Sequence, residues 1–168
     1  VLFACQKHCE FAPDGKRYGF MIGDGAGVGK GRQISGIIID NFVRGRRKAV
    51  WISSSGDLHR DAERDLGDLG STIKVINSCP ELDRETRAVG LSKDYQEGVL
   101  FTTYSTLVSK TQKKNRLDQI IDWFGGEDAE GVVVFDECHK AKNFSASAET
   151  GSKVAAAVIA FQERCPKA

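Results

Sequence analysis

The run from Gly23 to Gly31 combines a flexible backbone with a cation and reads Gly-Asp-Gly-Ala-Gly-Val-Gly-Lys-Gly. Glycines let the chain turn tightly and direct successive N–H groups at one anion. Lys30 can then reach the outer phosphates of a bound nucleotide. Two positions depart from the usual pattern: Asp24 replaces a small residue, and Gly31 replaces the Ser or Thr that holds magnesium. The run predicts a phosphate-binding loop, with a flexible turn as the alternative.

The segments on either side of this run favour the phosphate-binding loop. Residues 18–22 (YGFMI) are a short apolar run of strand length. After the glycines, apolar residues recur at helical spacing, with polar residues between them. The apolar positions are Ile34, Ile37, Ile38, Ile39 and Phe42. Strand, glycine loop and helix form the context of a P-loop, and the helix N-terminus adds partial positive charge to the phosphate site.

A second group of reactive residues lies far downstream, after the apolar run of residues 131–135 (GVVVF). That run predicts a strand buried on both faces of a parallel sheet. It leads into Asp136-Glu137-Cys138-His139, at the carboxyl end where open α/β sheets bind ligands. Asp136 can hold magnesium, and Glu137 can position and deprotonate the water that attacks a γ-phosphate. A solvated turn is the alternative, and the upstream loop weighs against it.

Strands and helices alternate along the rest of the chain, which predicts an α/β fold with a parallel, doubly wound sheet. Right-handed crossovers place both motifs at the same edge of that sheet. The predicted strands are residues 48–53, 73–76 and 99–103, and the predicted helices are residues 57–69, 117–124 and 152–164. Residues 79–97 are predicted to form a polar loop with a weak helix.

Composition fits a single domain, because 168 residues with 40% hydrophobic content can bury a sizeable core. The net charge of +1 gives no overall attraction to nucleic acid. The basic run at residues 44–48 is explained equally well as the end of a helix, and the run at residues 110–116 is favoured as a solvated connector over a DNA contact. No apolar run approaches the ~20 residues of a membrane span, and no signal peptide is evident.

Cysteine usage points to a reducing compartment, since five cysteines without regular spacing do not form a disulfide framework. Cys5, His8 and Cys9 would share one helical face. Because no second pair of ligands follows at zinc-finger spacing, a packed helix face is favoured over a metal site.

Hydroxyl residues follow two of the predicted strands. Residues 53–58 (SSSGDL) and 102–105 (TTYS) place hydroxyls and free N–H groups at the carboxyl edge of the sheet. Such groups make sequence-independent contacts with nucleic-acid phosphates. Ordinary helix N-caps are the alternative.

Three segments together resemble one family: GDGAGVGKGR (residues 23–32), FTTYSTL (101–107) and DECHKAKN (136–143). They are similar to the strawberry notch family of superfamily 2 helicase-like ATPases, and also to Swi/Snf-type chromatin remodellers. The resemblance covers the chain from about residue 18 to its end. Glycine after the P-loop lysine is itself a trait of this family.

The resemblance implies a P-loop NTPase fold: an N-terminal RecA-like lobe with ATP and Mg²⁺ as its ligands. It also implies a second RecA-like lobe outside this chain, which lacks an initial methionine and is expected to be a fragment. The implied nucleotide contacts are Gly25, Ala26, Gly27, Val28, Gly29, Lys30, Gly31, Asp136 and His139. Arg32 opens the helix and is either a further phosphate contact or a solvated side chain. His139 would couple the site to the second lobe.

The implied function is a nuclear, nucleic-acid- or chromatin-directed ATPase in transcriptional regulation, with duplex DNA tracked by residues 53–58 and 102–105. The isolated chain is expected to bind nucleotide weakly and to hydrolyse it slowly. One alternative is a co-regulator that binds ATP without hydrolysing it and acts through protein partners. Gly31 favours that alternative, and the Asp136–Glu137 pair opposes it. A small-molecule P-loop kinase is a weaker third hypothesis, because no lid-like arginine cluster is evident.

Overall fold

A four-stranded, all-parallel sheet forms the centre of the chain, with strand order β2-β3-β1-β4. The computed structural model describes residues 1–25, 27–89, 95–111, 115–141 and 152–168. The strands are β1 (Lys48–Ser53), β2 (Val75–Asn77), β3 (Gly98–Thr103) and β4 (Val132–Phe135). Val50 lies opposite Leu100 on one side and Val133 on the other, which sets the register at the centre. The predicted parallel α/β fold is confirmed.

Helices cover both faces of this sheet. They are α1 (Leu2–Lys7), α2 (Lys30–Val43), α3 (His59–Asp68), α4 (Ser78–Val89), α5 (Tyr104–Leu107), α6 (Arg116–Phe124) and α7 (Lys153–Arg164). Short 3₁₀ turns occupy Gly56–Leu58, Gly126–Asp128 and Cys138–Ala141. No helix among the described residues has the length and apolarity that crossing a membrane requires.

Alternation along the strands divides the core into two layers. Val50 and Ile52 of β1 pack with buried residues of α4, α5, α6 and α7. Ala49 and Trp51, on the opposite face, pack with buried residues of α1, α2 and α3. Helices on both faces of a parallel sheet follow the prediction, because strands buried on both faces need a helical layer on each.

Most predicted elements occur within a few residues of their predicted bounds. One exception is the stretch at residues 79–97, where the twelve-residue helix α4, which begins at Ser78, is found instead of a loop with a weak helix. Cys79 and Leu82 of α4 are buried in the core, and Glu81 accepts a 2.7 Å hydrogen bond from the backbone N–H of Asn77. Tertiary packing of one apolar stripe therefore stabilises a helix that polar composition concealed. Residues 90–94 of the predicted loop lie outside the described residues.

The predicted strand at residues 18–22 is not part of the described sheet. The preceding segment pairs with itself instead, since Ala12 N–H bonds to Lys16 O at 2.7 Å and Tyr18 N–H bonds to Glu10 O at 3.2 Å. Phe20 and Met21 are consequently exposed. As a result, β4 forms an edge of the described sheet and is mostly half-buried, not buried on both faces as predicted.

The N-terminal Cys5, His8 and Cys9 differ in burial. Cys5 packs into the core beneath α2, while Cys9 is exposed and donates its thiol hydrogen to Cys5 O at 3.3 Å. No group of three His, Cys, Asp or Glu side chains suited to a metal occurs in the described part of the chain.

Candidate nucleotide-binding site

The glycine loop uses the conformations that only glycine adopts without strain. Gly27 and Gly29 have φ values of +80° and +78°, in the left-handed region, and α2 begins directly afterwards at Lys30. The loop therefore leads into a helix N-terminus, as a phosphate-binding loop requires. Gly25 and Val28 are exposed in this loop, whereas Ala26 lies outside the described residues.

Asp24, the first departure from the usual pattern, holds the loop against the first turn of α2. Its Oδ2 accepts a 2.8 Å hydrogen bond from Gln33 Nε2. Its carbonyl oxygen accepts a 3.3 Å hydrogen bond from Lys30 Nζ. The aspartate thus has a local structural role that a small residue cannot supply.

Asp136 is anchored at the carboxyl end of the sheet by three hydrogen bonds. Its backbone N–H bonds to Ile52 O at 2.9 Å and so extends the pairing between β1 and β4. Ser53 Oγ donates to Asp136 Oδ2 at 2.9 Å, and Tyr104 Oη donates to Asp136 O at 2.9 Å. These bonds bring the carboxyl ends of β1, β3 and β4 together around Asp136.

The phenol of Tyr104 remains a hydrogen-bond donor in this arrangement. Burial raises the pKa of Tyr104 well above its usual range, and the nearby Cys138, Asp136 and Glu137 raise it further. The phenol is therefore protonated at neutral pH and can donate to the Asp136 carbonyl oxygen.

Glu137 connects the two sequence motifs. Its Oε1 lies 3.9 Å from Lys30 Nζ, and its Oε2 lies 3.3 Å from His139 Nδ1. Its φ of +52° is unusual for a residue with a Cβ, and such backbone strain is concentrated at functional sites. The lysine of the glycine loop and the second acidic residue therefore meet at one point.

A cleft of about 920 Å³ opens at this point. Lys30, Asp136, Glu137 and His139 line it, together with β4 and residues 18–22. This volume is within the range that binds small organic ligands. The cleft can therefore accommodate a nucleotide beside the lysine and the acidic pair.

Oxygen ligands suited to magnesium are present at the site. Mg²⁺ is bound in proteins through one or two carboxylates, waters and substrate phosphates. Asp136 is half-buried, and Ser53 orients its carboxylate. Gly31 offers no hydroxyl, and a Cβ built there would lie 1.9 Å from Asp65 Oδ2. The donor set therefore fits magnesium, but the place of the usual hydroxyl side chain is filled by a carboxylate of α3.

Arg32 points away from the acidic pair. Its guanidinium donates to Asp68 Oδ2 of α3 at 2.6 Å, and its side chain is largely exposed. The structure does not bring Arg32 to Asp136 or Glu137, and its phosphate contact remains a prediction.

The two hydroxyl-rich segments at the carboxyl edge contain N-caps. Ser55 Oγ accepts from Asp57 N–H at 3.3 Å, and Thr103 Oγ1 accepts from Thr106 N–H at 3.3 Å. Ser54 and Ser105 are exposed beside these caps. The N-cap alternative is therefore correct for Ser55 and Thr103.

Sequence reasoning missed three roles. The sequence predicts nucleic-acid contacts for the segments that contain Ser53 and Tyr104, yet both side chains are buried and bond to Asp136. Their positions at the ends of β1 and β3 were a usable signal, since neighbouring strand ends converge. Nothing in the sequence spacing pointed to Asp65.

Comparison with protein families and curated proteins agrees with this geometry. Residues 1–168 match a family model described as "P-loop containing NTP hydrolase pore-1". The whole chain is 43% identical to Protein strawberry notch of Drosophila melanogaster and covers 10% of that protein. It is 46% identical to Protein strawberry notch homolog 2 of Mus musculus, over 12% of its length.

The same comparison extends to plants. The chain is 43% identical to Protein FORGETTER 1 of Arabidopsis thaliana over its whole length and covers 13% of that protein. The chain thus spans only about a tenth of the length of the curated relatives it matches. No solved structure matches it.

Proposed function

The chain belongs to the strawberry notch family as a P-loop NTP hydrolase domain, and we propose that it binds ATP with Mg²⁺ and hydrolyses the γ-phosphate. The observation that carries this proposal is the 3.9 Å separation of Lys30 Nζ and Glu137 Oε1. A phosphate oxygen bound to Lys30 would lie beside Glu137. A water between them would then have both a base and an electrophile within reach.

Each residue of the site has a distinct task in this reaction. The N–H groups of Gly27 and Gly29 and the N-terminus of α2 bind phosphate oxygens. Lys30 neutralises charge on the β- and γ-phosphates, and Glu137 accepts the proton of the attacking water. Asp136 would hold Mg²⁺, which when bound supplies charge neutralisation at the phosphates.

His139 is placed to report on the state of Glu137. Its Nδ1 lies 3.3 Å from Glu137 Oε2, and its side chain is 60% exposed. A group that contacts the base on one side and solvent on the other can transmit a change at the site to a neighbouring domain. This supports a coupling role toward a second RecA-like lobe in the longer protein.

The intact protein is proposed to be a helicase-like ATPase acting on duplex DNA or chromatin in the nucleus. Exposed Ser54 and Ser105 lie beside Ser53 and Tyr104, which both bond to Asp136. Nucleic acid bound along this edge would therefore contact residues adjacent to the magnesium-holding carboxylate. Such coupling is what a nucleic-acid-stimulated ATPase needs.

Two variants test the site directly. Lys30→Ala should abolish nucleotide binding by the 168-residue chain, because it removes the phosphate cation while leaving the core untouched. Glu137→Gln should retain bound ATP but slow hydrolysis by about 10²-fold or more. Binding is measured by calorimetric titration, and unchanged affinity in Lys30→Ala would remove the P-loop assignment.

Steady-state ATP hydrolysis by the full-length protein, with and without duplex DNA, tests the wider proposal. DNA stimulation that disappears in Glu137→Gln is the expected result. ATP binding without turnover on any nucleic acid would contradict it and favour the alternative, a co-regulator that uses ATP as a structural ligand.

A further inference from the structure

A carboxylate of α3 occupies the space of the side chain that Gly31 lacks. A Cβ built on Gly31 would lie 1.9 Å from Asp65 Oδ2 and 3.1 Å from Asp65 Cγ. The Asp65 side chain is only 14% exposed. Its Oδ1 accepts a 3.2 Å hydrogen bond from Arg64, so the oxygen that faces Gly31 is the other one, Oδ2.

In a phosphate-binding loop, the side chain at this position normally contacts the metal ion. Gly31 directly follows Lys30 and is the second residue of α2. In the usual pattern the hydroxyl of a Ser or Thr at this position binds the magnesium of the nucleotide. Here an oxygen atom still lies beside the helix start, but it comes from another helix and carries negative charge.

The surrounding charges leave this oxygen available for a cation. Arg64 is largely exposed and also donates to Asp61 at 2.7 Å. Arg32, whose pKa is raised chiefly by its hydrogen bond with Asp68 and to a lesser degree by Asp65, pairs with Asp68 at 2.6 Å. The first turn of α2 itself contains no acidic residue, and Gly29 provides no side-chain cap. Asp65 is thus a carboxylate of α3 that lies directly against the second residue of α2.

We propose that Asp65 replaces the missing P-loop hydroxyl as an oxygen ligand of the Mg²⁺ that accompanies the nucleotide. This inference rests on the proposed nucleotide binding. A carboxylate differs from a hydroxyl because it repels phosphates when no metal is present and attracts the metal when it is. Nucleotide affinity in this protein therefore depends on Mg²⁺ more strongly than it would with a serine at Gly31.

The experiment measures affinity for ADP with Mg²⁺ and with EDTA, in the wild-type chain and in Asp65→Asn. Asp65→Asn should weaken Mg²⁺-ADP binding at least about tenfold, the loss expected from removing even a residue that only orients a metal ligand. Binding in EDTA should be unchanged or tighter. Asp61→Asn is the matched control, because Asp61 lies on the same helix and also pairs with Arg64. It should behave as wild type in both conditions.

Mn²⁺ bound to the ADP complex provides a second readout by electron paramagnetic resonance. Asp65→Asn should change the Mn²⁺ spectrum and lower Mn²⁺ affinity, while Asp61→Asn should not. If Asp65→Asn loses affinity equally with and without metal, or leaves both unchanged, Asp65 only packs α3 against α2 and the inference is overturned.

A swap of the two side chains guards against simple misfolding. Gly31→Ser alone forces the carboxylate of Asp65, the end of a flexible side chain, to move. Gly31→Ser combined with Asp65→Ala removes that collision and returns a hydroxyl to the usual position, so the double variant should recover the Mg²⁺-dependent binding that Asp65→Ala alone loses. Failure of the folded double variant to regain Mg²⁺ dependence contradicts the inference.

The two proposals fail in different ways. If the wild-type chain binds no ADP with either Mg²⁺ or EDTA, both the proposed nucleotide site and the role of Asp65 are refuted. If ADP binding is lost in Lys30→Ala but unchanged in Asp65→Asn, only the role of Asp65 is refuted.

Discussion

The hydrogen bond from Ser53 to Asp136 gives a prediction whose size follows from the structure. Ser53→Ala deletes a 2.9 Å bond between a fully buried hydroxyl and a carboxylate oxygen. Hydrogen bonds to charged groups contribute about 1.5–3 kcal/mol. Because Asp136 is only half-buried, water can replace part of the lost bond. We therefore expect the free energy of unfolding to fall by about 1.5 kcal/mol, the lower end of that range.

Urea denaturation measures this change, and Ser54→Ala is the matched control. Ser54 is the next residue and is exposed, so its substitution should change the free energy of unfolding by less than about 0.5 kcal/mol. A double-mutant cycle with Asp136→Ala should give a coupling energy of about 1 kcal/mol. Additive effects of the two substitutions, or a Ser53→Ala variant as stable as Ser54→Ala, would refute the reasoning.

Two further predictions concern the support of the site. Gly131→Ala should lower the free energy of unfolding by about 2–3 kcal/mol, because the new Cβ would lie 2.0 Å from the backbone oxygen of Lys48. Gly67→Ala is the control: a Cβ on this residue of α3 meets open space, so the substitution should raise the free energy of unfolding by about 0.5–1 kcal/mol. Urea denaturation measures both variants, and equal changes for the two glycines would contradict this account. Burial, helped by two nearby arginines, lowers the pKa of His8, so the unfolded chain binds a proton that the folded chain does not. The free energy of unfolding should therefore fall as the pH drops below about 6.5, and a His8→Gln variant that keeps the same pH slope would be evidence against this assignment.

The parts of the fold that local pattern controls were predictable. β1 and β3 read as apolar, β-branched runs, and they occur within one residue of their predicted bounds. α6 begins at Arg116 after the N-cap Asn115 and buries Ile120, Ile121 and Phe124, as its spacing indicates. The sequence did not predict α4 as a full helix, because only a few of its residues are apolar and packed into the core against the sheet.

The strand prediction for the segment before the glycine loop was wrong for a different reason. Residues 18–22 have the composition of a strand, but composition does not specify a hydrogen-bonding partner. The backbone of the preceding residues pairs internally, with Tyr18 bonded to Glu10. Whether an apolar run joins a sheet is decided by competing long-range contacts that no local pattern records.

The sequence by itself predicted that Lys30, Asp136 and Glu137 lie at the same edge of the sheet, and they line one cleft there. A glycine loop before a helix and an acidic pair after a strand both follow from backbone geometry, and parallel strands bring their carboxyl ends to one edge. Only the tertiary structure decided which other side chains contact these motifs. The approach of Asp65 to Gly31 and the bonds of Ser53 and Tyr104 to Asp136 join residues on different elements. Such contacts depend on how helices and strands pack in three dimensions, and spacing along the chain does not encode them.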